Sequence, residues 1–219
     1  MKIEHAIFDM DGTVTDSNGV WADAVFGYID NHAPYKREDI PDIFFSEIIL
    51  GGTMESLVYL RDTMGDNTDF GKIIKIIMKN VEIGYDTPQM PKKGVVEFLE
   101  KLKASGADIC MISATPSNLV EKALELCGLR KYFDFIISAE DRKTGKDNPY
   151  IFLEAAARMN CDISECTLFE DAVYSLRTGK KLVMKRVAIK DFYCKPQVWS
   201  EMCKLCDIAV CDYADIQLD

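Results

Sequence analysis

Residues 5–13 read His5-Ala6-Ile7-Phe8-Asp9-Met10-Asp11-Gly12-Thr13. The first four fit a short apolar strand, and the strand runs straight into a turn rich in Asp and Gly. In extended backbone, side chains two residues apart point to one side, so Asp9 and Asp11 can address a single ligand. Gly12 lets the chain turn sharply beside them.

Outward from this strand the chain divides in two. From about Val20 to Tyr85, apolar residues recur at helical spacing: Trp21, Val25 and Ile29, then Leu57, Leu60 and Met64, then Ile73, Ile76, Ile77, Met78 and Val81. Strand signals are few, and Pro34, Gly51-Gly52 and Gly65 mark breaks, so residues 16–87 read as a helical insert. Pro88 and Pro91 mark its exit. After them helices are expected over 94–105, 117–127, 148–159, 174–182 and 196–205, with Ser117 as an N-cap. Strands are expected over 108–112, 133–137, 166–169, 186–189 and 208–211. This alternation predicts an α/β fold for 1–15 and 88–219: a Rossmann-like parallel sheet covered by helices on both faces, interrupted by an all-helical domain.

Composition narrows the function. The 219 residues are 48% hydrophobic and carry a formal net charge of −10. That balance repels nucleic-acid phosphates and anionic membranes. An anionic substrate would need a local cation, which a carboxylate-bound metal could supply. Two histidines disfavour a multi-His centre. Residues 1–11 lack the features of a secretory leader, and no apolar stretch approaches the length of a membrane span. With eight cysteines and no such leader, the expected compartment is cytoplasm, with thiols reduced.

Ligands of such sheets bind beyond the carboxyl ends of the strands. Those ends carry Asp9 and Asp11, Ser113, a loop with Lys146, and Glu170-Asp171. Oxygens from Asp9, Glu170 and Asp171 make a hard donor set suited to Mg2+, and a divalent cation relieves the repulsion among crowded carboxylates. Lys146 can hold a nucleophile ionised and neutralise a phosphoryl group, and Ser113 can donate to a phosphoryl oxygen. Gly145 and Pro149 favour Lys146 over Lys143 for this role. The reaction that fits is in-line phosphoryl transfer, with a carboxylate nucleophile forming an aspartyl-phosphate.

These residues bring the chain to a known family. Asp9-Met10-Asp11-Gly12-Thr13, Ile112-Ser113-Ala114-Thr115, Gly145-Lys146-Asp147-Asn148-Pro149 and Phe169-Glu170-Asp171-Ala172 resemble, in order, the four motifs of the haloacid dehalogenase-like hydrolases, in the branch with a helical cap. The resemblance implies that Asp9 is the nucleophile and a metal ligand. It implies that Asp11 is general acid and base, with its carbonyl on the metal, and that Glu170 and Asp171 complete a Mg2+ site. Gly12, Ser113, Ala114 and Lys146 would bind the substrate, a small phosphorylated metabolite. The insert would be a cap that selects it. Gly51-Gly52-Thr53 fits neither a P-loop nor a dinucleotide fingerprint and reads either as a cap loop with Gly52 facing the site or as a plain turn. The chain departs from the pattern at Asp147, where Pro is usual, at Tyr150, where Asp is usual, and at Ser175 and Val183, where Gly is usual.

Rival readings have their own signatures. A sugar-phosphate mutase of the same superfamily would carry cations for a second phosphate, but Trp21, Met54 and Pro116 stand at the corresponding places. Receiver-like phospho-acceptor modules also cluster acids at strand ends but lack the insert. Cys203-x-x-Cys206, with Cys194 and Cys211 nearby, could hold zinc, but the pair lies on an expected helix, and i, i+3 packing into a core is the favoured reading. His32 and the group Lys180, Lys181, Lys185 and Arg186 read as solvated surface.

Overall fold

The computed structural model describes residues 2–41, 44 and 53–218. It divides into two compact units, Met1–Asp16 with Pro88–Asp219, and Ser17–Thr87.

In the first unit, six parallel strands are ordered β3-β2-β1-β4-β5-β6. They are β1 (His5–Phe8), β2 (Asp108–Ser113), β3 (Phe135–Ser138), β4 (Cys166–Glu170), β5 (Lys185–Ile189) and β6 (Ile208–Val210). The strand order reverses between β1 and β4, the switch point where open α/β sheets bind ligands. Helices α1 (Asn18–His32), α2 (Thr53–Met64) and α3 (Phe70–Gly84) belong to the second unit. Helices α4 (Val95–Ala104), α5 (Ser117–Leu126), α6 (Tyr150–Met159), α7 (Val173–Lys181) and α8 (Pro196–Leu205) belong to the first.

Alternation along the central strands builds two cores. Ile7 is in register with Leu168, and Phe8 with Phe169. On one face the Phe8 and Phe169 rings stack at 4.2 Å, with Phe98, Phe133 and Tyr213 around them. On the other, Ile7, Cys110, Ile112, Ile137 and Leu168 pack with Ile151, Phe152 and Ala155 of α6. Both cores pack on β1 and β4, the two strands whose ends carry the acids. The Asp9 N–H donates to the Phe169 carbonyl at 3.0 Å and extends that pairing.

The turn after β1 wraps around one carbonyl. Val14 and Thr15 N–H donate to Met10 O at 2.9 and 3.0 Å, and Gly12 adopts φ +80°, a conformation open to glycine at little cost. The chain returns along its own exit: Asp16 N–H donates to Met90 O and Lys92 N–H to Val14 O.

Some expected boundaries move. Pro116, not Ser117, precedes α5, and the Ser117 N–H donates to Asp141 Oδ2 instead of being capped locally. The strand expected from Phe133 starts at Phe135; Phe133 is the C-cap of a 3-10 turn at Arg130–Tyr132. Helix α6 starts at Tyr150, whose N–H donates to Asn148 Oδ1. Val183 has φ +60°, which explains why Gly suits that position: a β-branched residue is strained there.

In the second unit α3 buries Ile73, Ile77 and Val81, and α1 buries Ala22, Val25, Tyr28 and Ile29. Trp21, Ile76 and Met78, read as part of the apolar stripes, are only half-buried. Buried Asp66 accepts from the Tyr28 and Tyr35 hydroxyls at 2.7 and 3.1 Å and from the Thr68 N–H, tying the loop before α3 to α1.

Candidate active site

Beyond β1 and β4, Asp9 and Glu170 converge on Lys146. The Lys146 ammonium donates to Asp9 Oδ1 at 2.6 Å and to Glu170 Oε2 at 2.8 Å, with all three side chains at most 6% exposed. The loop after β3 delivers Lys146, while Lys143 in the same loop is exposed. Asp171 joins from the segment before α7. One carboxylate oxygen each from Asp9, Glu170 and Asp171 lies within 4.8 Å of the others. Glu170 Oε1 accepts from the N–H groups of Asp171 and Ala172, and Thr13 Oγ1 donates to Asp171 Oδ1 at 3.4 Å.

The charges do not balance. Burial raises the proton affinity of Asp9. Lys146 opposes this, and Glu170 and Asp11 add to it, leaving the pKa at about 8. Burial and the charges of Asp9, Glu170 and Asp191 hold the Asp171 carboxyl well above its ordinary range. Burial disfavours the Lys146 ammonium, but Asp9 and Glu170 outweigh it and keep the lysine charged. A set of hard oxygen donors this close holds protons unless a cation takes their place, so the residues fit a divalent ion such as Mg2+.

Asp11 is anchored separately. The buried Thr115 hydroxyl donates to Asp11 Oδ2 at 2.8 Å. Ser113 ends β2, is fully buried, and accepts from the Thr115 N–H at 3.0 Å through its Oγ. That bond occupies an acceptor position and leaves the hydroxyl proton to point elsewhere. Ala114 is exposed and Gly12 is buried in the turn. Gly52 lies outside the described residues.

Three contributors escaped the sequence reading, although each lies in or beside a quoted motif. Thr115 and Thr13 each hold an acid by a hydroxyl. Tyr174, in the first turn of α7, interacts electrostatically with Lys146, Glu170, Asp9 and Asp171. Thr13, within the first motif, was the most findable, since a hydroxyl beside an acidic turn is a common hydrogen-bond donor. Ser175 is fully buried, and its hydroxyl finds no partner among the described residues. The cysteines are unpaired, and among the described residues only Asp9, Glu170 and Asp171 converge as a metal-ligating group.

A family model described as haloacid dehalogenase-like hydrolase matches residues 3–182. Hexitol phosphatase B of Escherichia coli K12 is 28% identical over 191 residues, covering 86% of this chain and 84% of that protein. A putative pyrophosphatase PpaX of Caldanaerobacter subterraneus is 25% identical over 193 residues, covering 87% of this chain and 83% of the relative. The crystal structure of β-phosphoglucomutase from Clostridium difficile superposes with a TM-score of 0.77 at 21% identity, covering 99% of this chain and 94% of that one, a likeness of fold.

Proposed function

The chain belongs to the haloacid dehalogenase-like hydrolase family, and from that membership we propose that it is a Mg2+-dependent phosphatase acting on a small phosphomonoester. The observation that carries the reading is the buried Asp9 carboxylate, held by Lys146 at 2.6 Å among a surplus of acids, with Asp11 two residues on and held by a different partner.

In this reading an Asp9 oxygen bonds to phosphorus as the bond from phosphorus to the leaving oxygen breaks. Asp11 gives its proton to that oxygen, and the alcohol departs. Asp11 then takes a proton from water as the water oxygen bonds to phosphorus and the bond between Asp9 and phosphorus breaks. Inorganic phosphate is released and both acids are restored. Lys146 neutralises the phosphoryl group and Ser113 donates to one of its oxygens. Mg2+, held by Asp9, Glu170, Asp171 and the Asp11 carbonyl, would offset the charge of the phosphoryl oxygens and of the crowded acids. The unit Ser17–Thr87 acts as the cap that excludes water and selects the substrate.

The naming of relatives as hexitol phosphatase and pyrophosphatase supports polyol and sugar phosphates as the first substrates to try, with pyrophosphate next. The mutase reading is favoured less, since Trp21, Met54 and Pro116 stand where its second-phosphate cations would be. No helix among the described residues is long and apolar enough to cross a membrane, and cytoplasm remains the proposed compartment.

The test is a panel of hexitol phosphates, sugar phosphates and pyrophosphate, with Mg2+ and with chelator, on wild type and Asp9→Asn. Expected is phosphate release that needs Mg2+ and falls by about a thousandfold or more in the variant. Activity that survives the substitution would remove Asp9 as nucleophile. Isomer interconversion that depends on a bisphosphate would establish the mutase instead.

A further inference from the structure

We propose that Thr115 is a positioning residue for Asp11, holding its carboxyl in the orientation from which it exchanges a proton with the leaving group. The inference rests on the reading of Asp11 as acid and base and adds to it the residue that aims it.

Thr115 lies two residues beyond β2 and is fully buried. A buried hydroxyl is costly unless hydrogen-bonded, and Val would fill the same space without that cost. The hydroxyl here is spent on one contact, Oγ1 to Asp11 Oδ2 at 2.8 Å, across 104 positions of sequence. Its backbone is also fixed. The N–H donates to Ser113 Oγ at 3.0 Å, and Pro116, with φ −52°, follows and leads into α5. The donor therefore sits on a short rigid segment between a strand and a helix.

The choice of a hydroxyl has a chemical reason. Asp11 must alternate between acid and carboxylate in each cycle. A hydroxyl donates to the carboxylate and, by rotating, accepts from the acid, so the contact survives both forms. An ammonium or an amide N–H would favour the anion alone. A general acid acts only within hydrogen-bond reach of the leaving oxygen, and small misplacements cost much of its effect. Without Thr115 the carboxyl loses the hydrogen bond at Oδ2 that fixes this orientation.

The test separates aim from mere packing by changing how much the leaving group needs a proton. For wild type, Thr115→Val and Thr115→Ser, kcat/KM is measured with the alkyl phosphomonoester that the panel turns over fastest and with p-nitrophenyl phosphate, whose phenolate departs unaided. Thr115→Val is expected to lower the alkyl value by about tenfold and the aryl value by no more than about threefold, and Thr115→Ser to bring the alkyl value back within about threefold of wild type. Equal losses on both substrates, or a serine variant no better than the valine one, would overturn the proposal. Should Thr115→Val fail to fold, Thr115→Ala carries the same comparison. Asp11→Asn serves as the control. If it is inactive on the alkyl ester while Thr115→Val is unaffected, the inference alone falls. If it retains full alkyl turnover, the acid–base reading falls with it.

Discussion

Lys146 and Lys92 are both buried, and each bridges two carboxylates. Lys146 holds Asp9 and Glu170 at 2.6 and 2.8 Å, and Lys92 holds Asp16 and Asp191 at 2.6 and 2.7 Å. The surroundings differ. Asp16 is 48% exposed, so water shares its charge, and Asp191 also accepts from the Tyr193 N–H. Around Lys146 both partners are buried, and Asp11 and Asp171 add further negative charge. One lysine closes a cluster whose single surplus negative charge is shared with water through Asp16, and it ties the chain leaving β1, the chain returning at Lys92, and the segment after β5. The other stands in a cluster that stays unbalanced until a cation or a proton joins it. Unresolved charge in a buried site marks chemistry more reliably than burial or ion pairing does.

If that contrast is right, the same substitution has different consequences at the two lysines. Lys146→Met should lower kcat by a hundredfold or more, on the order of losses seen when a charge-stabilising donor is removed. Mg2+ should recover much of any loss in its melting temperature, because the ion can replace the missing positive charge. Lys92→Met should cost about 3 kcal/mol in stability, the scale for breaking a buried pair, lessened by the exposure of Asp16. Mg2+ should not recover that loss, and turnover per folded molecule should change by only a few-fold. Thermal melts and steady-state kinetics on both variants check this. Equal rescue by Mg2+ at the two sites would erase the distinction.

A smaller effect sharpens the comparison through pH. In the folded metal-free protein Asp9 keeps a proton up to about pH 8, whereas its ordinary carboxyl value is 3.8. The folded state therefore binds more protons than the unfolded chain between these values. This group's contribution to stability is full below the lower value and is lost as pH rises through about 8. Mg2+ competes with that proton. The rise in melting temperature on adding Mg2+ should grow from about pH 6 to about pH 8 and then level off. A rise that is independent of pH, or that shrinks, would show that the surplus charge is not what the ion relieves.

The strand ends could be read from sequence because each apolar run stops at a charged or hydroxyl residue. Asp9 and Asp11 share a side through strand periodicity, and Lys146 stood out from Lys143 by its Gly and Pro neighbours. The aim of Thr115 was hidden, because its partner Asp11 lies 104 positions away and only the pairing of β1 with β2 brings them together. Lys92 was hidden for another reason. It adjoins Lys93, and nothing local tells the buried one from its neighbour, which is 87% exposed beside Asp212. The stripes of the helical unit were half legible. Ile73, Ile77 and Val81 keep a helical period and are buried, whereas the Asp66 cluster joins Tyr28 and Tyr35 through hydroxyl contacts that carry no periodic signal.

The central claim is that an Asp9 oxygen becomes esterified to phosphorus during turnover. It is tested most directly by acid-quenching the enzyme within a single turnover of a substrate labelled in its phosphoryl group, then mapping the label by mass spectrometry. The label is expected on the peptide containing Asp9 in wild type and absent from Asp9→Asn. Turnover with no covalent label, or with the label on another residue, would contradict the account.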